Sequence, residues 1–193
     1  MKRLSLYLFL ILFTFQTSSQ ADDIRDFQIE GMTIGDNVID FFDEEKIIKK
    51  DPYKKRIVKG GVKLRDSTYD QIRFAYSKND KKMKTLQIQG IKFFDDIKKC
   101  KLEKAAIEKE FDIIFANQKK NKFSKSHSVD PSKKSKVDGI NYHFKNAGFI
   151  HISCNDMKKF TDRHGKKMSP SKSLKVEIVS DEYANFLRNE AYK

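Results

Sequence analysis

The chain has 193 residues, 40 lysines and arginines against 27 acids, and a formal net charge of +13. It has two cysteines and no tryptophan. That length suits one domain with a real core. Only seven of the 40 basic residues are arginine, and the lysine-rich, Ile/Phe/Asn-heavy composition is what an AT-rich genome produces.

Met1-Lys2-Arg3 forms a positive start, Leu4 to Phe15 an almost unbroken apolar run, and Ser19-Gln20-Ala21 a small-residue cleavage pattern. This order predicts a secretory signal peptide over residues 1–21, cut after Ala21. The apolar run is shorter than the roughly 20 residues of a spanning helix. No later stretch is long enough either, so no transmembrane segment is expected after cleavage. The predicted mature part, residues 22–193, is a single domain, and losing Lys2 and Arg3 takes its charge to +11. The expected location is the periplasm or the exterior.

Thr33 and Asp36 have the spacing of a capping box. Ile34, Val38, Phe41, Phe42 and Ile48 recur at near-helical intervals. One or two helices are therefore expected over 35–50, ended by Asp51-Pro52. Residues 53–67 read as a short irregular strand around Gly60-Gly61. This Gly-Gly lacks the lysine and Ser/Thr of a phosphate loop and reads as a turn.

Ile72, Phe74 and Tyr76, then Leu86 and Ile88, alternate with polar neighbours and predict a β-hairpin with Phe74 opposite Leu86. Gly90 breaks the alternation, so a bulge or bend is expected there. Asp95-Asp96 opens a helix whose apolar stripe is Ile97, Cys100, Ile107, Phe111 and Ile114, running to about Asn117. Residues 118–136 are Lys/Ser-rich with few apolar anchors and are expected to be a mobile basic loop.

A second hairpin carries Ile140, Tyr142 and Phe144 against Ile150, Ile152 and Cys154, pairing 144 with 150 around the loop Asn146-Ala147-Gly148. Residues 155–171 are expected to be another basic loop. Leu174, Val176 and Ile178 form a last strand, and Ser180-Asp181-Glu182 starts a C-terminal helix. The fold class is α+β: an antiparallel sheet of about five strands with helices packed on one face.

Cys100 and Cys154 both fall on apolar faces directed into one layer, which predicts a disulfide. The hairpin register places His143 opposite His151 on the polar face. The pair is a weak metal candidate, because a site normally needs three or four ligands. No cofactor is expected, and no catalytic residue stands out: neither a Gly-x-Ser-x-Gly nor a His-Glu-x-x-His is present. Three basic clusters remain: Lys49-Lys50 with Lys54-Lys55-Arg56, the 119–136 segment, and Arg163 to Lys167. Sparse arginine and aromatics argue against nucleic acid. Anionic lipid or polysaccharide of an envelope is the expected partner class. The leading function is an exported, non-enzymatic binding or structural domain of the envelope. The alternative is a small periplasmic hydrolase.

The segment Ala21 to Asp36, ADDIRDFQIEGMTIGD, the Lys99-Cys100 helix after Ile88-Gln89-Gly90-Ile91, the Ile152-Ser153-Cys154 strand and the ending Phe186 to Lys193 together resemble an uncharacterised family of small secreted proteins from AT-rich marine alphaproteobacteria. The resemblance implies export and supports the cysteine pairing, and it implies no activity. Gly31-Met32-Thr33-Ile34-Gly35 is also similar to the helix entry of a small outer-membrane assembly lipoprotein. This chain departs from that pattern by lacking the lipid-anchor cysteine.

Overall fold

The computed structural model describes residues 23–49, 56–145, 148–162 and 165–191. The predicted signal peptide, the clusters at 50–55 and 163–164, and the tip of the 146–147 loop lie outside the described residues.

An antiparallel sheet dominates. Its strands are β1 (Ile48–Lys49), β2 (Ile57–Lys63), β3 (Gln71–Ser77), β4 (Gln87–Phe94), β5 (Lys119–Ser126), β6 (Lys136–His143), β7 (Phe149–Met157) and β10 (Ser171–Val179). The order across the sheet is β1-β2-β3-β4-β10-β7-β6-β5. Seven strands are long and β1 is a two-residue edge piece, so the sheet is larger than the five strands expected. A small hairpin, β8 (Phe160–Thr161) with β9 (Lys167–Met168), stands apart within the expected basic loop of 155–171.

Two strands depart from expectation for different reasons: β2 is longer and more regular than the short irregular strand expected, and β5 was not expected at all. Strand β2 runs regularly through Gly60-Gly61, because the Phe74 ring lies over Gly60, where a Cβ would meet it at 2.4 Å. Strand β5 occupies the segment expected to be a mobile loop and pairs with β6 along its whole length. Its anchors are not the apolar run the composition argument sought. Phe123 lies over Gly139. The following turn closes on Asp130, only 3 % exposed, whose carboxylate accepts from Ser132 N–H and Oγ–H and from Ser135 N–H at 2.7–2.8 Å. Burial raises this carboxyl's pKa, but the serine and backbone donors outweigh it and hold the value far below the usual range.

Both hairpin registers differ from expectation by two residues. Phe74 faces Ile88, and Tyr142 faces Ile150. In the first, Thr85 is drawn away from β3: it exchanges backbone hydrogen bonds with Gly35 and Asp36 and donates its hydroxyl to the Thr33 carbonyl. In the second, the Phe144 N–H donates to the Gly148 carbonyl, while Gly148 N–H is held by Asp181 Oδ1 at 2.5 Å. A two-residue slip preserves the faces. Ile72, Phe74, Ile88, Tyr142, Phe144, Ile150, Ile152, Leu174, Val176 and Ile178 therefore share one core as expected. Leu86 is the exception and joins a second cluster.

No bulge occurs at Gly90, as β4 pairs without interruption on both sides. The parity switch has another cause. Ile91, 1 % exposed, is buried on the opposite face, and Gly90 leaves room for the Tyr69 ring, which a Cβ would meet at 2.7 Å.

Helix α1 (Ile97–Ile114) is capped by Asp96, which accepts from the Lys98 N–H. It carries the chain from β4 under β10 and β7 to the far edge, where β5 begins. Its buried stripe includes Cys100, Lys104 and Phe111, with Lys104 Nζ on Asp138 Oδ1 at 2.9 Å. The sulfurs of Cys100 and Cys154 lie at bonding distance, 2.02 Å, with Cα atoms 6.0 Å apart, in agreement with the predicted pairing.

The expected helix over 35–50 is replaced by two short 3-10 turns, Val38–Asp40 and Glu44–Lys46. Asp36 does accept from the Thr33 N–H, but the Thr33 hydroxyl donates to the Arg25 and Phe27 carbonyls instead of capping a helix. The C-terminal helix α2 (Asp181–Phe186), continued by a π-helical turn over Leu187–Ala191, packs Tyr183, Ala184 and Phe186 on Ile57, Ala75 and Val179. Those residues belong to the face opposite α1, so the helices do not all lie on one face.

Candidate functional site: the polar face of the sheet

The face away from α1 is only partly covered. Strand alternation sends Arg73, Gln87, Gln89, Asn141, His151, Ser153, Asn155, Ser173, Lys175 and Glu177 to it. The register aligns them in rows. One row runs Arg73, Gln89, Glu177, His151, Asn141 across five strands, and the next runs Ile91, Lys175, Ser153, Gly139, Phe123. Neighbouring strands sit about 4.8 Å apart, so each row is a straight track of side chains.

Water does not bathe this face freely. Ser153 is 1 % exposed, and Asn155, Ser173 and Gln89 are also buried. Among the described residues no buried side-chain polar atom lacks a partner. His151 shows how this is done. Its Nδ1 lies 2.7 Å from Asn141 Oδ1 and its Nε2 lies 2.9 Å from Ser153 Oγ, which also accepts from Asn155 Nδ2 at 3.2 Å. The consistent proton arrangement is a neutral ring that donates from Nδ1 to Asn141 and accepts the Ser153 hydroxyl proton at Nε2. Phe123 stacks on the imidazole, centroids 5.7 Å apart. Burial, with Lys175 and Lys125 nearby, lowers the His151 pKa to about 4.

The expected His143–His151 pairing is corrected by the register. His151 faces Asn141 and His143 faces Phe149. Both nitrogens of His151 are engaged, which leaves no lone pair for a metal. Among the described residues, no group of three His, Cys, Asp or Glu side chains is placed to hold one.

Glu177 stands at the centre of the face. Its carboxylate accepts from the side-chain amides of Gln87 and of Gln89, the latter at 3.2 Å. Burial raises its pKa against the opposing pull of Lys175 and the two glutamines. No cation is within ion-pair distance of Glu177 among the described residues. Lys175, two residues along β10, is half-buried, and burial lowers its pKa against the opposing pull of Glu177. Among the described residues Arg73 donates to Gln71 Oε1, at 3.2 Å, and to no acid. A cavity of about 310 Å³ opens here between the sheet and the C-terminal segment, with Lys59, Arg73, Gln87, Gln89, Glu177 and Tyr183 among its walls.

The basic edge is the other charged feature. Of the β5 lysines, Lys120 and Lys122 are bound to Glu108, and Lys120 also to Asp112 at 2.7 Å. Lys125 lies over the Phe123 ring, 4.8 Å from its centroid.

Sequence reasoning missed the half-buried polar face. The alternating polar residues of β7, β10 and β4 are legible as one face, but they read as facing water. Nothing local signals that Ser153 and Asn155 are sealed. No protein-family model, curated protein or solved structure matches the chain.

Proposed function

We propose that the chain is an exported, non-enzymatic envelope domain that holds anionic envelope material against the polar face of its sheet. The observation that carries this reading is a pair of cations on that face, the half-buried Lys175 and the exposed Arg73, neither of them held in an ion pair among the described residues. A partly buried cation without a counter-ion is costly, and an anionic ligand relieves the cost. The basic edge adds long-range attraction that salt screens.

The test is adsorption to anionic polymer and to anionic vesicles at rising salt. Binding to at least one of them, weakened by about 0.5 M salt and by Lys175→Gln with Arg73→Gln, supports the reading. Salt-independent binding, or binding indifferent to both substitutions, overturns it.

A second reading, a small periplasmic hydrolase, rests on the Ser153–His151–Asn141 chain. The ordering matches a nucleophile, base and orienting amide. Against it, Ser153 is 1 % exposed under its neighbours, so substrate has no approach to the hydroxyl. Covalent labelling of Ser153 by a fluorophosphonate, detected by mass, would favour the hydrolase. The binding-domain reading predicts an unlabelled serine.

A further inference from the structure

We infer that the cavity beside Glu177 recognises an acidic sugar unit, with its carboxylate on Arg73 and its hydroxyls on Glu177, Gln87 and Gln89. The inference rests on the anion-binding reading above and names the ligand chemistry of the same face.

The cavity, at about 310 Å³, is at the small end of ligand pockets. Its walls combine two cations, Lys59 and Arg73, one carboxylate and two amides. Arginine presents a planar fork that matches a carboxylate through two parallel hydrogen bonds. Arg73 is exposed and has no acid partner among the described residues, so the fork is available. A simple anion site would not also contain a half-buried carboxylate, which repels anions. Glu177 therefore needs a separate role.

Glu177 already accepts one amide donor on each oxygen and has room for further donors. The donor it takes is a neutral hydroxyl and not an ammonium, because Arg73 stands in the same wall with only a neutral glutamine partner and repels a further positive charge. The glutamine amides, fixed through Glu177, add acceptor and donor groups beside it. One carboxylate and several hydroxyls on a compact ring describe a uronic acid. The partner residues of adjacent strands lie in a row at about 4.8 Å spacing, which suits a chain of such units laid across the strands.

The experiment compares polygalacturonate with poly-L-glutamate of similar charge density, using the mature full-length chain and titration calorimetry. The polyuronate is expected to bind about tenfold or more tighter, a difference of about 1.4 kcal/mol. Glu177→Gln is expected to abolish the preference while leaving polyglutamate binding in place. Arg73→Gln is expected to weaken polyuronate binding by a similar factor. Circular dichroism checks that both variants fold. Equal affinity for the two polymers overturns the sugar inference and leaves the anion-binding reading standing. A preference that survives Glu177→Gln also overturns it. Loss of binding to both polymers and to anionic vesicles overturns both.

Discussion

At the scale of single residues, the polar face stores instability that can be measured. Glu177 has a raised pKa, so its protonated form is the one the fold favours. Below its ordinary value of 4.5 both folded and unfolded states hold the proton, and the residue is neutral to stability. Above that value the unfolded chain ionises more readily, and stability falls as pH rises through the folded pKa. Glu177→Gln is therefore expected to be more stable than the parent at pH 7 and nearly equal to it at pH 4, measured by urea unfolding. A variant less stable at pH 7 would contradict the burial argument. His151 acts at lower pH. Its folded value of about 4 lies below the ordinary 6.5, so the neutral ring favours folding. Acidification from 6.5 towards 4 should cost about 3 kcal/mol, with no further loss from this group below pH 4. A stacked ring maintains that state. In Gly139→Ala the new Cβ would sit 2.4 Å from Phe123 and displace it from His151. Titration of His151 by NMR in this variant should then move up towards 6.5. An unchanged value would mean that Phe123 does not shield the imidazole.

At the scale of elements, the disulfide ties the first turns of α1 to the central strand β7 and closes a loop of 54 residues. In the chain-entropy account a loop of that size is worth about 4 kcal/mol. Cys100→Ser with Cys154→Ser should lower stability by that order, and reductant should reproduce the shift in the parent but not in the variant. Unfolding unaffected by reductant would show that the tether contributes little. The elements also show why hydrophobic alternation was readable when exact pairing was not. Periodicity reports a side chain's face, and a slip of two residues leaves every face unchanged. Register depends on what the turn residues bond to, and Thr85 is bonded to a segment about 50 residues earlier. Likewise, β5 has an exposed lysine face typical of a protected sheet edge. Its pairing with β6 is supplied by backbone groups, which composition does not report.

At the scale of the whole molecule, the export expectation predicts that protein recovered outside the cytoplasm begins at Asp22. Intact-mass measurement of secreted material tests this, and a chain retaining residues 1–21 would overturn it. No described helix is long and apolar enough to cross a membrane. The sequence by itself determined the α+β class, the antiparallel hairpins, helix α1 with its cap, the core face and the cysteine pairing. All of these rest on short-range periodicity or on two residues of a unique type. Only the tertiary structure decided the number of strands, the insertion of β10 between β4 and β7, the placement of α2 on the opposite face and the separation of His143 from His151. It also decided that the polar face is a half-buried network centred on Glu177. Burial of a polar strand residue depends on the neighbours brought beside it from distant segments, and one strand's pattern holds no record of them.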